Sequence, residues 1–152
     1  MSSFKGLYQY SLDSKGRVNI PARFRKVLCP EAQETFVITR GLEGCLFVYP
    51  LDEWNRIEKK LKNLSMTQKD NRLFVRLLIS HATEVAYDRQ GRIAVPAYLA
   101  EIARIEKDVL IIGALDRIEI WSPKVYDEYI SESPETFESV AEKIILEKDS
   151  IE

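Results

Sequence analysis

The sequence predicts a mainly β fold with α-helices, in which two tandem repeats exchange hairpins and close one β-barrel with helices at its ends. Two internal similarities predict it. The segment YSLDSKGRVNIPARF (residues 10–24) recurs 75 positions later as VAYDRQGRIAVPAYL (85–99), and FVITRGLEGCLFVYP (36–50) resembles VLIIGALDRIEIWSP (109–123). Because the strands of one repeat are too few and too short to bury both faces alone, we expect the repeats to complete each other.

The repeats divide the chain into four parts. Residues 1–66 form the first repeat, 67–84 a connecting helix, 85–131 the second repeat and 132–152 an acidic C-terminal helix or tail. Each repeat is expected to contain the same run of elements.

A D-x-x-G turn opens the repeated segment in both halves. Asp13 and Asp88 can accept hydrogen bonds from amides that such a turn leaves free, and Gly16 and Gly91 can take a positive φ. The turn therefore accounts for these four residues without any further role.

A short strand and a short helix follow each turn. Val18 and Ile20, like Ile93 and Val95, alternate with polar residues and are expected to face inward. The proline that comes next, Pro21 in the first repeat, suits the first position of a helix because its missing N–H costs nothing there.

Two further short strands and a helix close each half. Apolar residues at spacings of three or four predict helices over about 51–64 and 67–80. In the tail, Ser133 as a cap and Pro134 as the first helical residue predict another helix. Its apolar stripe (137–145) is expected to pack on its own subunit, with a partner-binding helix as the alternative.

Composition argues against several classes of function. The 152 residues carry a formal net charge of −2, contain one histidine (His81) and show no apolar run long enough to cross a bilayer. One histidine allows neither a Cys/His metal cluster nor a catalytic triad within one chain, and no phosphate-binding glycine loop is present. We therefore expect no enzyme activity, no cofactor, no metal and no membrane. Cys29 and Cys45, far apart in sequence, are typical of a cytoplasmic protein.

The charge is distributed unevenly along the chain. Residues 1–28 contain six basic residues and one acid, whereas residues 127–152 contain nine acids and two basic residues. The acidic tail thus hides a basic region at the other end of the chain.

The positive charge belongs to the first repeat alone. Four positions carry the difference, each first-repeat residue being followed by its counterpart: Lys15 and Gln90, Asn19 and Ala94, Arg23 and Tyr98, Arg25 and Ala100. The fold does not need this charge, because the second repeat lacks it.

Nucleic acid is the partner that these residue types favour. Arg and Asn read guanine and adenine edges, and Lys and Arg neutralise phosphates. The predicted DNA-binding residues are Arg17, Lys15, Asn19, Arg23 and Arg25. The alternative is that the cluster is only a solvated charged face.

Arg17 has a copy, Arg92, so both arginines can also brace their turns by pairing with Asp13 and Asp88. The predicted turn-bracing residues are Asp13, Gly16, Asp88, Gly91 and Arg92. Bracing does not exclude a ligand role for Arg17.

The doubled D-x-x-G-R-[apolar]-x-[apolar]-P-A element resembles the MraZ family of bacterial transcriptional regulators, relatives of the AbrB-like swapped-hairpin DNA-binding domains. LDSKGRVNIPARFR (12–25) fits the family's first signature closely, and YDRQGRIAVPAYL (87–99) keeps the second. The resemblance implies a double-split β-barrel and closed homo-oligomeric rings. It also implies binding of double-stranded DNA at short direct repeats upstream of the division and cell-wall gene cluster, with repression of that cluster and location at the nucleoid.

The resemblance also assigns roles to single residues. It places the DNA-contacting arginine at Arg17, with Lys15 beside it, and the turn-bracing acid at Asp13. Asn19 and Arg23 rest on the sequence comparison between the repeats alone. A different class remains open, an oligomeric protein-interaction scaffold without specific DNA binding.

Overall fold

The computed structural model describes the backbone of residues 2–151 and the side chains of residues 2–147. The described strands are β1 (Phe4–Ser11), β2 (Arg17–Asn19), β3 (Thr35–Arg40), β4 (Leu46–Pro50), β5 (Thr83–Ala86), β6 (Arg92–Ala94), β7 (Asp108–Leu115) and β8 (Ile118–Trp121). The described α-helices are α1 (Ala22–Lys26), α2 (Leu51–Lys62), α3 (Lys69–Ser80), α4 (Ala97–Ile102), α5 (Pro123–Glu132) and α6 (Phe137–Ile151). A short 3₁₀ helix spans Pro30–Ala32.

The strands form two sheets that both contain strands of each repeat. The larger sheet is antiparallel with the order β1-β7-β8-β4-β3-β5, and the smaller one pairs β2 with β6. The first-repeat strand β1 runs beside β7 of the second repeat from Phe4 opposite Leu115 to Ser11 opposite Asp108. The second-repeat strand β5 pairs in turn with β3 of the first. The expected mainly β fold and the exchange between tandem repeats are confirmed.

The prediction of one closed barrel is confirmed only in part. In the described residues the two edge strands, β1 and β5, continue through the D-x-x-G turns into β2 and β6, which pair with each other instead of completing the ladder. β2 and β6 have three residues each, and each pairs only with the other. The two sheets are held together by packing rather than by a continuous hydrogen-bonded wall.

The core lies between the two sheets. Val18 and Ile93 of the small sheet, and Ile20 directly after β2, are at most 1% exposed and pack with large side chains of the other sheet such as Phe36 and Ile111. Burying one such side chain contributes about 1.5–3 kcal/mol. The predicted inward positions are therefore the ones that join the sheets.

The two short helices confirm the repeat at the level of packing. Phe24 of α1 and Leu99 of α4 stand 75 residues apart and both are fully buried. Pro21 and Pro96 stand one residue before these helices, with extended ψ values of 138° and 140°. The prediction that the proline is the first helical residue is wrong by one position, since the fixed φ of proline also suits the preceding residue.

The start predicted for the last helix is also wrong. Ser133 ends α5, and α6 begins at Phe137. The cause is a reciprocal pair of hydrogen bonds, in which Ser139 N–H donates to Thr136 Oγ1 and Thr136 N–H donates to Ser139 Oγ, each at 3.1 Å. This is the geometry of a capping box, with serine in place of the usual glutamate.

The apolar stripe of α6 is exposed. Phe137 is 83% exposed, Ile144 59% and Ile145 60%. The expectation that this stripe packs on its own subunit is wrong for the described chain. No helix among residues 2–151 is both long enough and apolar enough to cross a membrane.

Candidate nucleic-acid interface

The first D-x-x-G turn is organised by one carboxylate. Asp13 Oδ1 accepts hydrogen bonds from the N–H groups of Lys15 and Arg17, both at 2.9 Å, and Oδ2 accepts from Arg17 Nε at 2.8 Å. The hydrogen bond from the Arg17 amide is the main reason why the pKa of Asp13 lies below its ordinary value of 3.8, and the other two bonds lower it further. Gly16 closes the turn at φ +74°, which a side chain would disfavour.

The second turn repeats this arrangement. Asp88 Oδ1 accepts from the N–H groups of Gln90 and Arg92 at 2.9 Å, and Oδ2 accepts from Arg92 Nε at 3.2 Å. The Arg92 amide is again the main reason why the pKa of Asp88 lies below 3.8. Gly91 has φ +78°.

Each turn is anchored to the strand of the other repeat. Ile20 N–H donates to Gly91 O at 2.8 Å, and Val95 N–H donates to Gly16 O at 2.9 Å. Because β2 and β6 run antiparallel, these two bonds hold the turns at opposite ends of the small sheet.

The outward side of the small sheet joins residues of both repeats. Val18 and Ile93 point inward as a cross-strand pair, so the alternate positions point outward: Arg17 opposite Ala94, and Asn19 opposite Arg92. We call this outward side, together with the two turns, the paired-turn surface.

The two arginines of the paired-turn surface are used differently. Arg92 binds its own Asp88, reaches Asp13 Oδ2 with Nη1 at 3.4 Å and also donates to Gln90. Arg17 uses Nε for Asp13, and its terminal amino groups make no hydrogen bond to any residue that the structure describes. Arg17 therefore keeps a planar pair of donors available on a side chain that is 30% exposed.

Three of the other predicted DNA-binding residues are available in the same sense. Lys15, Asn19 and Arg23 are exposed, and their side chains make no hydrogen bond to residues 2–147. They lie in the first turn, in β2 and in α1 respectively. The first repeat thus presents its charge to solvent.

Arg25, the fifth predicted residue, is instead built into the fold. Its Nε donates to Ile20 O at 3.1 Å, and its guanidinium lies over the Tyr87 ring at 5.9 Å. A Cβ added at Gly91 would come within 2.6 Å of Arg25 Nε. This contact could not be predicted from the repeat, because the counterpart of Arg25 is Ala100.

The remaining reactive groups lie apart from the paired-turn surface. His81 ends α3, and its Nδ1 is 2.6 Å from Leu77 O. Burial raises the pKa of Cys45 to about 12, which removes its nucleophilic thiolate at neutral pH. Among the described residues no group of three or more His, Cys, Asp or Glu side chains could hold a metal ion. What the paired-turn surface offers is charge and hydrogen bonding.

Both halves of the chain are similar to one family of known proteins. A family model described as "MraZ protein, putative antitoxin-like" matches the chain twice, over residues 3–77 and 78–148, and each match contains one D-x-x-G-R turn. A protein of Caldanaerobacter subterraneus subsp. tengcongensis named transcriptional regulator MraZ is 51% identical over 139 residues, or 91% of this chain and 94% of that protein. Proteins of the same name from Heliobacterium modesticaldum (51% over 142 residues, 93% and 96%) and Halothermothrix orenii (49% over 138 residues, 91% and 94%) are similar to it as well.

Proposed function

The chain belongs to the MraZ family, and we propose that it is a transcriptional regulator that binds double-stranded DNA with the paired-turn surface. The observation that carries the proposal is the availability of Arg17, whose terminal donors have no partner among the described residues although the matching Arg92 is fully engaged. The exposed Lys15, Asn19 and Arg23 lie in the same repeat.

The shape of the paired-turn surface suits a DNA groove. A two-stranded β-ribbon fits the major groove, where arginine can bind guanine and asparagine can bind adenine with two hydrogen bonds each. We assign base contacts to Arg17 and Asn19, and phosphate contacts to Lys15 and Arg23. Arg25 has partners inside the chain, so it contributes mainly by positioning the second turn.

The turn-bracing residues hold this surface in shape. Asp13 fixes the Nε edge of Arg17 and leaves the opposite edge for DNA. Asp88, with Arg92, does the same for the second turn, and Arg92 also reaches Asp13. The glycines Gly16 and Gly91 let the chain reverse at positive φ.

One chain offers few contacts, so several copies are needed for tight binding. Copies held in a ring would present the paired-turn surface to successive short direct repeats and convert weak contacts into high avidity. The family resemblance supports such repeats upstream of the division and cell-wall gene cluster as the target, with repression as the outcome. It also supports a location in the cytoplasm at the nucleoid.

A salt titration of DNA binding tests the assignment. Replacing Arg17 with Ala should weaken binding of upstream DNA and reduce the slope of log K against log salt by about 1 for each chain in contact. Lys15→Gln leaves the Asp13 network intact and should lower the slope in the same way. The control is Lys124→Ala, which removes an exposed charge from α5.

Each result of that titration has a clear reading. Unchanged affinity in both Arg17→Ala and Lys15→Gln would overturn the site. Loss of folding in Arg17→Ala, seen by circular dichroism, would show the bracing role, and Lys15→Gln would then decide on DNA contact.

A second candidate is an oligomeric protein-interaction scaffold without specific DNA binding. The exposed apolar residues of α3 and α6 favour it, Leu73 being 55% and Phe137 83% exposed. A gel shift that compares upstream with random DNA separates the two functions, because a scaffold would show equal binding to both or none.

A further inference from the structure

A groove on the outer side of the large sheet is lined by apolar side chains that have no cover in one chain. It lies between α2, α3 and β4 and encloses about 500 Å³. Five of its lining residues are Phe47, Ile57, Leu61, Phe74 and Leu77. We call it the helix groove. Phe74 is 49% exposed and Leu77 41%, so the groove exposes much apolar surface to water.

Positive charge borders the helix groove. Arg40 and Lys60 take part in its lining, and the last turn of α2 carries Lys59, Lys60 and Lys62. Glu58, the acid in that part of α2, already accepts a hydrogen bond from Trp54 Nε1 at 2.6 Å. A ligand of the groove should therefore combine apolar side chains with carboxylates.

Helix α6 has this combination. Phe137, Ile144 and Ile145 follow the helical period on one side and are at least 59% exposed. Glu138 and Glu142 are exposed, lie one turn apart and border that side of the helix. Apolar anchors at such spacing are the usual way in which an amphipathic helix fills a groove.

We propose that α6 of one copy lies in the helix groove of a neighbouring copy of this chain. Each copy has one helix to give and one groove to receive, so the contact is head-to-tail and can close into a ring. Within one chain, α5 packs on β7 and leads to α6 through residues 133–136, while the apolar side of α6 stays exposed. The inference rests on the ring included in the proposed function and supplies a contact for it.

Matched substitutions on the two surfaces test this contact. Ile144→Glu in α6 and Leu77→Glu in the groove should each reduce the assembly to single chains in light-scattering or sedimentation measurements. The controls are Leu146→Glu and Leu73→Glu, which alter leucines that are 69% and 55% exposed on the same helices. By helical spacing Leu146 faces away from the stripe, and Leu73 does not line the groove. Both controls should keep the mass of the unmodified protein.

Mixing the two defective chains gives the sharper result. A chain with Ile144→Glu still has a groove, and a chain with Leu77→Glu still has its helix, so an equimolar mixture should form dimers of one chain of each kind. Neither variant should form dimers alone. Glu138→Lys with Glu142→Lys should also weaken assembly, and the assembly should become less stable as salt is raised.

Several outcomes would overturn the inference. Assembly that persists in Ile144→Glu would leave the ring in place and rule out α6 as its contact. Unchanged mass with reduced thermal stability would show that α6 fills the groove of its own chain. If the unmodified protein is a single chain in solution and still binds upstream DNA, the inference is wrong and the DNA-binding proposal is unaffected. Conversely, Arg17→Ala should lose DNA and keep its mass.

Discussion

Asp13 and Asp88 each accept hydrogen bonds from the backbone N–H groups two and four residues further on, all at 2.9 Å. The arginines of the two turns nevertheless have different partners. Arg92 is held by both aspartates, whereas Arg17 is held by one and keeps its terminal donors available. The residues common to both turns thus build the scaffold.

The residues that differ carry the case for function. Lys15 and Asn19 are exposed where the second repeat has Gln90 and Ala94. A duplication lets one copy keep the structural role while the other acquires a surface. The difference between the turns can therefore be tested by making them more alike.

The largest effect is expected from giving the first repeat the side chains of the second. The triple variant with Lys15→Gln, Asn19→Ala and Arg23→Tyr should keep its fold. It should bind DNA about 5- to 150-fold more weakly per chain, because loss of a bidentate contact between a side chain and a base costs about 1–3 kcal/mol. Fluorescence anisotropy with upstream DNA measures the loss. The reciprocal change, Gln90→Lys with Ala94→Asn, is the matched control and should not weaken binding. An unfolded first variant would contradict the division into scaffold and surface.

Replacing the turn glycines should destabilise the second turn more than the first. Gly16→Ala should cost about 1–2 kcal/mol, the penalty of a left-handed residue. Gly91→Ala should cost more, about 2–3 kcal/mol, because its Cβ would also displace the guanidinium of Arg25, which lies 2.6 Å from that position. Urea unfolding of both variants measures the free energies. Equal losses would show that Arg25 adapts without cost.

A smaller difference should separate two arginines of α1. Arg25→Ala should lower the free energy of unfolding by about 1 kcal/mol, since it removes the hydrogen bond to Ile20 O and the contact with the Tyr87 ring. Arg23→Ala should change stability by less than about 0.5 kcal/mol, as is usual for an exposed residue. In DNA binding the order should reverse, with Arg23→Ala the weaker binder. Equal effects in both assays would remove the distinction between the two residues.

The smallest effect is expected from acid. The pKa values of Asp13 and Asp88 lie below 3.8, so the stabilisation from their ionised forms is fully present above that pH and is lost as pH falls through the lowered pKa values. Replacing both with Asn should flatten the fall of unfolding free energy below about pH 4. Urea unfolding at a series of pH values measures it, and an unchanged slope would assign the acid sensitivity to other carboxylates.

Much of the fold follows from the repeat itself. The repeat predicts the inward positions Val18, Ile20 and Ile93, because an apolar alternation kept in both copies is imposed by burial. It also identified the turns, since aspartate and glycine at fixed spacing have a local physical reason. Local reasons of this kind can be read from a sequence.

The remaining features depend on residues far apart in the chain. Two contacts join one repeat to the other: Arg92 binds Asp13, and Arg25 lies against Gly91. No local sequence pattern predicts them. The exposure of the α6 stripe is of the same kind, because an amphipathic pattern does not say where its partner surface lies. The start of that helix differs from the expectation for another reason. Ser133 followed by Pro134 is typical of a helix start, but Thr136 and Ser139 cap the helix with two reciprocal hydrogen bonds.

The pairing of β1 with β7 has a consequence for how the protein is made. The first strand to leave a ribosome must wait for residues 108–115 before its ladder can form. A nascent chain that ends after the first repeat holds an unpaired edge strand and a three-residue strand without its partner, which is a state open to aggregation or to pairing with another nascent chain. Because β2 also lacks β6 at that stage, the paired-turn surface can form only after residues 92–94 of the second repeat have been synthesised. The order of the strands along the chain thus makes formation of both sheets depend on synthesis of the second repeat.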